Sequence, residues 1–184
     1  MDALKNNNMN DLSRFTPMMH KAEYELVQRY LNKDDIFLEW GSGNSTLYFS
    51  QFVKQIISIE HNRQWLDNVR EKIDANKVTN VLQVHVPAVD GESKDVQFKD
   101  YIDYPKNNGL KFTKVLIDGR ARKFCAKAIY DMIDENIIVF IHDYNRPDYR
   151  KVEKYYDVIE RTHIKPGIVA LRKKPSVVLD KNSY

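Results

Sequence analysis

Two stretches of this chain carry side chains that could do chemistry at one place. The first is Glu39-Trp-Gly41-Ser42-Gly43-Asn-Ser45-Thr46, followed by Glu60 at the end of an apolar run. Glycines at 41 and 43 let the backbone approach a ligand with no Cβ in the way. The residues after them read as the opening of a helix. Its free N–H groups and its dipole suit a phosphate, a carboxylate or a nucleoside sugar. Glu60 is placed to accept hydrogen bonds from both hydroxyls of a ribose, and its distance from Gly41 is close to the ~20 residues of that arrangement. The second stretch ends two further apolar runs, with Asp118-Gly-Arg120 after one and His142-Asp143-Tyr144 after the other. Here His142 could act as a general base near neutral pH. Asp118 and Asp143 could hold a divalent cation such as Mg2+ or Mn2+ through oxygen ligands.

Glu-x-Gly-x-Gly followed by Ile-Glu resembles motifs I and II of the class I S-adenosylmethionine (SAM) methyltransferases. The resemblance rests on Glu39, Gly41, Gly43 and Glu60. It implies that Glu39 and the turn, from Gly41 through Ser42 and Gly43 to Ser45 and Thr46, meet the methionine end of SAM, and that Glu60 holds the ribose. The third glycine of G-x-G-x-x-G is missing, which counts against a dinucleotide pyrophosphate site and an NAD-dependent oxidoreductase. A SAM- or nucleotide-binding module without turnover would need neither Asp118 nor His142-Asp143. No Asn/Asp-Pro-Pro-aromatic motif of amino-group methylation occurs.

The region after the fourth strand is similar to two groups of O-methyltransferases. The catechol and macrocin type has an Asp after the fourth strand and an Asp-Asn or Asp-Asp-Tyr after the fifth, binding magnesium. Asp118 and Asp143-Tyr144 match, with His142 standing where that group has its first Asp. The plant glucuronoxylan 4-O-methyltransferases resemble the chain in Val139-Phe-Ile-His142-Asp143-Tyr144-Asn-Arg146, in Val115-Leu-Ile-Asp118 and in Ala128-Ile-Tyr130. These resemblances imply methyl transfer to a hydroxyl of a small molecule or glycan, with Asp118, His142 and Asp143 catalytic. Arg120, Arg122 and Arg146, grouped with Lys123 and Arg150, could grip a carboxylate or phosphate bidentately, so the acceptor is expected to be anionic. Tyr144 is expected to stack on it.

The elements that must position these residues follow from periodicity. Strands are expected at 36–39, 55–59, 81–86, 114–118 and 136–141, then as short runs at 158–162, 168–172 and 177–179. Helices are expected from Pro17, with Met18 and Met19 inward, and over 61–73, with His61 as cap and Trp65 on the apolar side. Two more are expected over 121–133 and 148–156. Residues 87–111 read as a long polar connection, part of which would line an adenine pocket. Alternating strands and helices closed by a hairpin predict a three-layer α/β sandwich, Rossmann-like, with a mostly parallel sheet. Residues 1–13 are expected to be a flexible tail and 14–184 a single domain. Exposed aromatics at Tyr101–Tyr104 and Tyr155–Tyr156 suggest a homo-oligomer.

The charge balance, 29 basic against 26 acidic residues, is too even for a nucleic-acid binder. One cysteine, Cys125, excludes an internal disulfide framework. No run reaches the ~20 apolar residues of a membrane span and none suits a signal peptide, so the expected location is cytoplasmic.

Overall fold

A computed structural model describes residues 11–175. Its sheet has seven strands in the order β3-β2-β1-β4-β5-β7-β6. They are β1 (Ile36–Trp40), β2 (Gln55–Glu60), β3 (Val81–His85), β4 (Lys114–Ile117), β5 (Ile138–His142), β6 (Tyr156–Arg161) and β7 (Ile168–Lys173). Strands β1 to β5 pair in parallel; β7 runs antiparallel to both β5 and β6, which gives the expected closing hairpin. The strand expected at 177–179 lies outside the described residues. Of the expected tail, residues 1–10 also lie outside them, and Leu12 is buried with its N–H donated to Gln51 Oε1.

Side chains alternate across a strand, so each strand divides its residues between two helical layers. Leu38, Trp40, Ile57, Ile59, Val115, Ile117, Val139 and Ile141 face one layer. It contains α5 (Lys99–Asn107) and α6 (Arg122–Ala128). Phe37, Ile56, Leu116, Ile138 and Phe140 face the other, with α1 (Lys21–Arg29) and α2 (Asn44–Ser50). This parity sends Glu39, Ser58, Glu60 and His142 toward the α1/α2 layer, and Asp118 continues it one step past β4. The parallel register sets Glu39 beside both Ser58 and Leu116. A polar seam therefore runs along one face at the carboxyl ends of the strands. Strand order reverses between β1 and β4, which opens the crevice where ligands bind in such sheets.

Several expectations give way to packing. The first helix starts at Lys21 instead of Pro17, capped by His20, whose N–H is accepted by Glu23 Oε2 at 2.7 Å. Met18 is 80% exposed and only Met19 packs on the core. Residues 87–111 are not an irregular connection: they form α4 (Lys94–Gln97) and α5. Pro105 lies inside α5 and has no N–H for the Tyr101 carbonyl, one turn back. Trp40 Nε1 donates to that carbonyl instead, at 2.9 Å. Tyr101, Tyr155 and Tyr156 are all buried, so they cannot form the aromatic interface their sequence suggests. Residues 149–154 form a 3-10 helix in place of a regular one, and α6 ends at Ala128 before a 3-10 turn at Tyr130–Met132. No described helix is long and apolar enough to cross a membrane.

Candidate functional site

The crevice holds a cavity of about 410 Å³. Its floor is the turn from Gly41 to Ser45, and Glu60, Asp118 and Gly119 wall it. Gly41 has φ +96, a left-handed conformation that side chains resist. A Cβ there would also lie 2.8 Å from the Gly119 backbone. The turn is thus tight enough that only glycine serves.

Glu60 is 4% exposed and surrounded by donors. Its Oε1 accepts from His61 N at 2.9 Å and Asn62 N at 2.7 Å, while Oε2 accepts only Ser42 N, at 3.1 Å. Burial alone would raise its pKa; His61, whose Nδ1 lies 2.8 Å from Oε1, and the Asn62 and Ser42 N–H groups outweigh that and hold it below the usual range. The carboxylate is therefore charged at neutral pH, and Oε2 keeps a lone pair at the cavity wall.

The helix α3 (Arg63–Ala75) is capped by Asn62, whose side chain accepts Trp65 N at 2.9 Å, and not by His61. Trp65 does not face the core: it lines the cavity, 43% exposed, and its Nε1 donates to Ser42 O at 2.6 Å. The sequence placed Trp65 with the apolar face of α3 and so missed it as a site residue. Its position at the opening of a helix just after Glu60 was the available signal. His61, Asn62 and Trp65 line the cavity, and none of residues 87–111, expected to line an adenine pocket, does.

Glu39 is not on the cavity surface. It is fully buried beneath the turn, accepting the hydroxyls of Ser45, of Thr46 at 2.6 Å and of Ser58 at 2.9 Å. Ser45 lines the cavity and Thr46 does not; the Thr46 hydroxyl also accepts Gly43 N at 3.0 Å. Glu39 therefore braces the turn from behind. Burial, more than the three hydroxyls can offset, pushes its pKa up to about 7.

At the far wall the catalytic candidates form an ionic cluster. His142 Nδ1 lies 2.8 Å from Asp118 Oδ1, and His142 Nε2 lies 3.4 Å from Glu23 Oε2. Arg122 donates through Nη1 to His142 O at 2.6 Å and meets Asp118 Oδ1 at 3.1 Å. Its Nη2 lies 3.4 Å from Asp143 Oδ2, which Arg146 also meets at 2.8 Å. The Arg122 guanidinium thus lies between the two carboxylates that were expected to share a metal ion. This donor set does not fit a divalent cation, and no group of three or more potential ligands is assembled among the described residues. Arg122 is also not a free anion grip, because its donors are engaged within the protein. Arg146 is largely exposed, pairs with Asp143 and stacks on Tyr149. Arg120 is exposed at the cavity. Tyr144 does not reach the cavity at all. Asp143, at φ +60, turns the chain, and Tyr144 is buried with its hydroxyl donated to Glu153 Oε1 at 2.8 Å.

His142 is no free general base either, since it is nearly buried between two carboxylates. Burial would lower its pKa, but the hydrogen bond and charge of Asp118, then the charge of Glu23, raise it above 6.5. A raised folded pKa adds stability below the unfolded value and loses it as pH rises through the folded value. For His142 the loss begins above 6.5, and for Glu39 it runs from 4.5 to about 7. The thermal midpoint is therefore expected to fall as pH is raised from about 5 through 7. Glu39→Gln should flatten the lower part of that slope. Calorimetric melts over this range check it, and an unchanged slope in the variant contradicts the assignment.

No family model and no curated protein matches the chain. Solved structures match its fold over most of its length. A methyltransferase-like protein from Silicibacter pomeroyi is 24% identical, with 89% of this chain and 91% of that one covered at a TM-score of 0.69. A candidate methyltransferase from Streptococcus mutans, in complex with SAH (S-adenosylhomocysteine), is 15% identical, with 85% and 100% covered at 0.57. An rRNA methylase from Streptococcus thermophilus is 10% identical, with 86% and 99% covered at 0.59. This chain has the Rossmann-like fold of the class I methyltransferases.

Proposed function

We propose that a chain with this methyltransferase fold binds SAM in the glycine-floored crevice and methylates a hydroxyl of a small molecule or sugar. The observation that carries the reading is Glu60, a buried, charged carboxylate with one oxygen still able to accept a ribose hydroxyl. The rest of the cavity suits the same ligand. Gly41 leaves room where any side chain would collide with Gly119. The indole of Trp65 offers a flat apolar face beside Glu60. His142 and Arg122 both meet Asp118 at Oδ1, which leaves Oδ2 for the ammonium of the methionine end.

SAM, when bound, supplies a methyl group on a cationic sulfur, which a nucleophilic oxygen can accept. The protein's part is to hold and align, since methyl transfer needs orientation more than covalent help. Glu60 fixes the ribose end, Asp118 the charged end, and Arg122 fixes Asp118. Arg120, at the cavity with an exposed charge, supports an acceptor that carries an anionic group. The hydroxyl acceptor rests on the resemblance to O-methyltransferases. No step runs through a metal ion, because Arg122 occupies the place between the carboxylates.

Calorimetric titration tests the reading. The protein is expected to bind SAH in the micromolar range or tighter, to ignore NADH, and to show no change in SAH affinity on adding magnesium or manganese. Binding of NADH in preference to SAH would overturn it.

A further inference from the structure

A second groove of about 410 Å³ adjoins the crevice, and Met18 borders both. Its walls are Pro17, Met18, Met19 and Pro166, with His20 and Glu23 completing it. These walls are apolar and Met18 is 80% exposed, so an apolar surface stands open beside the cofactor cavity. At the base the character changes. Glu23 is completely buried, and among the described residues its Oε1 has no hydrogen-bond partner. Its neighbour His142 Nε2 lies 3.4 Å from Glu23 Oε2 as an ion pair, and among the described residues it makes no hydrogen bond. Buried polar atoms in native proteins are nearly always partnered, and an orphaned carboxylate oxygen is costly to keep. Glu23 Oε2 is already engaged by His20 N, so Oε1 is the atom left to meet a ligand. Through His142 the same carboxylate is tied to Asp118, which lines the cofactor cavity. Two cavities that meet at Met18 and share one ionic relay are arranged as neighbouring subsites.

We propose that this groove is the acceptor seat, taking a neutral hydroxyl carried on an apolar ring, with the O–H donated to Glu23 Oε1 and the ring lying against Met18, Met19 and Pro166. The proposal rests on the SAM-dependent reading above and narrows its acceptor. Met side chains adapt to ring faces and make favourable sulfur–aromatic contacts. A carboxylate or phosphate at the base of the groove would face the Glu23 carboxylate, and the cation nearest to it, His142, is already shared between Glu23 and Asp118. An anionic group on the acceptor is therefore excluded from this end and belongs at the far side, toward Arg120.

The test uses the full chain, labelled at the methionine methyl groups and saturated with SAH, titrated with phenol and separately with benzoate, and followed by NMR. Phenol is expected to shift the Met18 and Met19 signals and to leave that of Met132 in place; benzoate is expected to shift neither. Glu23→Gln keeps a side chain able to cap α1 and presents an amide donor to the groove instead of a carboxylate. It should weaken phenol about tenfold, the loss expected for one hydrogen bond to a charged group, and should strengthen benzoate. Met19→Ala, whose side chain lines the groove and not the cofactor cavity, should weaken phenol without altering SAH affinity. Phenol that leaves both methionine signals unmoved, or that binds Glu23→Gln as well as the parent, would overturn the proposal. SAH affinity is read separately by calorimetry, so a failure of the cofactor reading appears there, while the titration without SAH still reports on the groove.

Discussion

Glu60→Ala is expected to weaken SAH binding by about 100-fold or more. The carboxylate is expected to make at least one charge-assisted bond to the ligand, and such bonds contribute about 1.5–3 kcal/mol each. Its removal also frees Ser42 N, His61 N and Asn62 N, which it now holds in place. The floor of the cavity and the entrance to α3 then lose their common anchor, so the cost of re-ordering them adds to the lost contact. Calorimetry well below the melting temperature measures the affinity. Glu60→Gln separates the two contributions: it keeps the side-chain volume and an acceptor oxygen, and should bind SAH more weakly than the parent but better than the alanine variant. Full affinity in Glu60→Ala would mean that the ribose is held elsewhere and that the cavity is used differently.

Arg122→Met is expected to destabilise the fold by about 3–5 kcal/mol, the usual cost of leaving buried charges without their partner. The Arg122 side chain is only 11% exposed, and it serves Asp118, Asp143 and the His142 carbonyl together. Methionine fills the space but cannot pair, so Asp118 keeps only His142 as a buried cation and Asp143 chiefly the exposed Arg146. Denaturant unfolding measures the loss. Adding magnesium or manganese to the variant is informative as well. If the carboxylates alone made a metal site, the ion should restore the lost stability. Because Asp118 and Asp143 are held for a guanidinium, little recovery is expected. Arg122→Lys should fall between the two, since one ammonium cannot span both carboxylates and the carbonyl.

Much of the framework was legible in the chain itself. Five apolar runs, four of them ending in an acidic residue or a histidine and separated by amphipathic segments, bury themselves most simply as a parallel sheet between helical layers. The two-residue period then fixes that Glu39, Ser58, Glu60 and His142 look the same way. Spacing singled out Gly41, Glu60, Asp118 and His142, and all of these lie at the carboxyl edge. The helix α5 was hidden because its few apolar residues lie among charges and a proline. Its Tyr101 reads as exposed until Trp40 is seen to bond the carbonyl of that residue.

What the sequence by itself determined is therefore the sheet, its order of elements and the list of polar residues at its edge. What only the tertiary structure decided is which of those residues face a ligand and which face each other. Glu39 and Glu60 lie in the last two positions of neighbouring strands, yet Ser45, Thr46 and Ser58 close over the first while the second opens on the cavity. Arg122 looked like a substrate grip and is a clamp; His142 looked like a base and is a bridge to Glu23, 119 positions earlier in the chain (142 − 23). The physical reason is that a buried charge must find its partners in space. Those partners come from α1, β4, β5 and α6 together, and no local pattern in any one of them records the meeting.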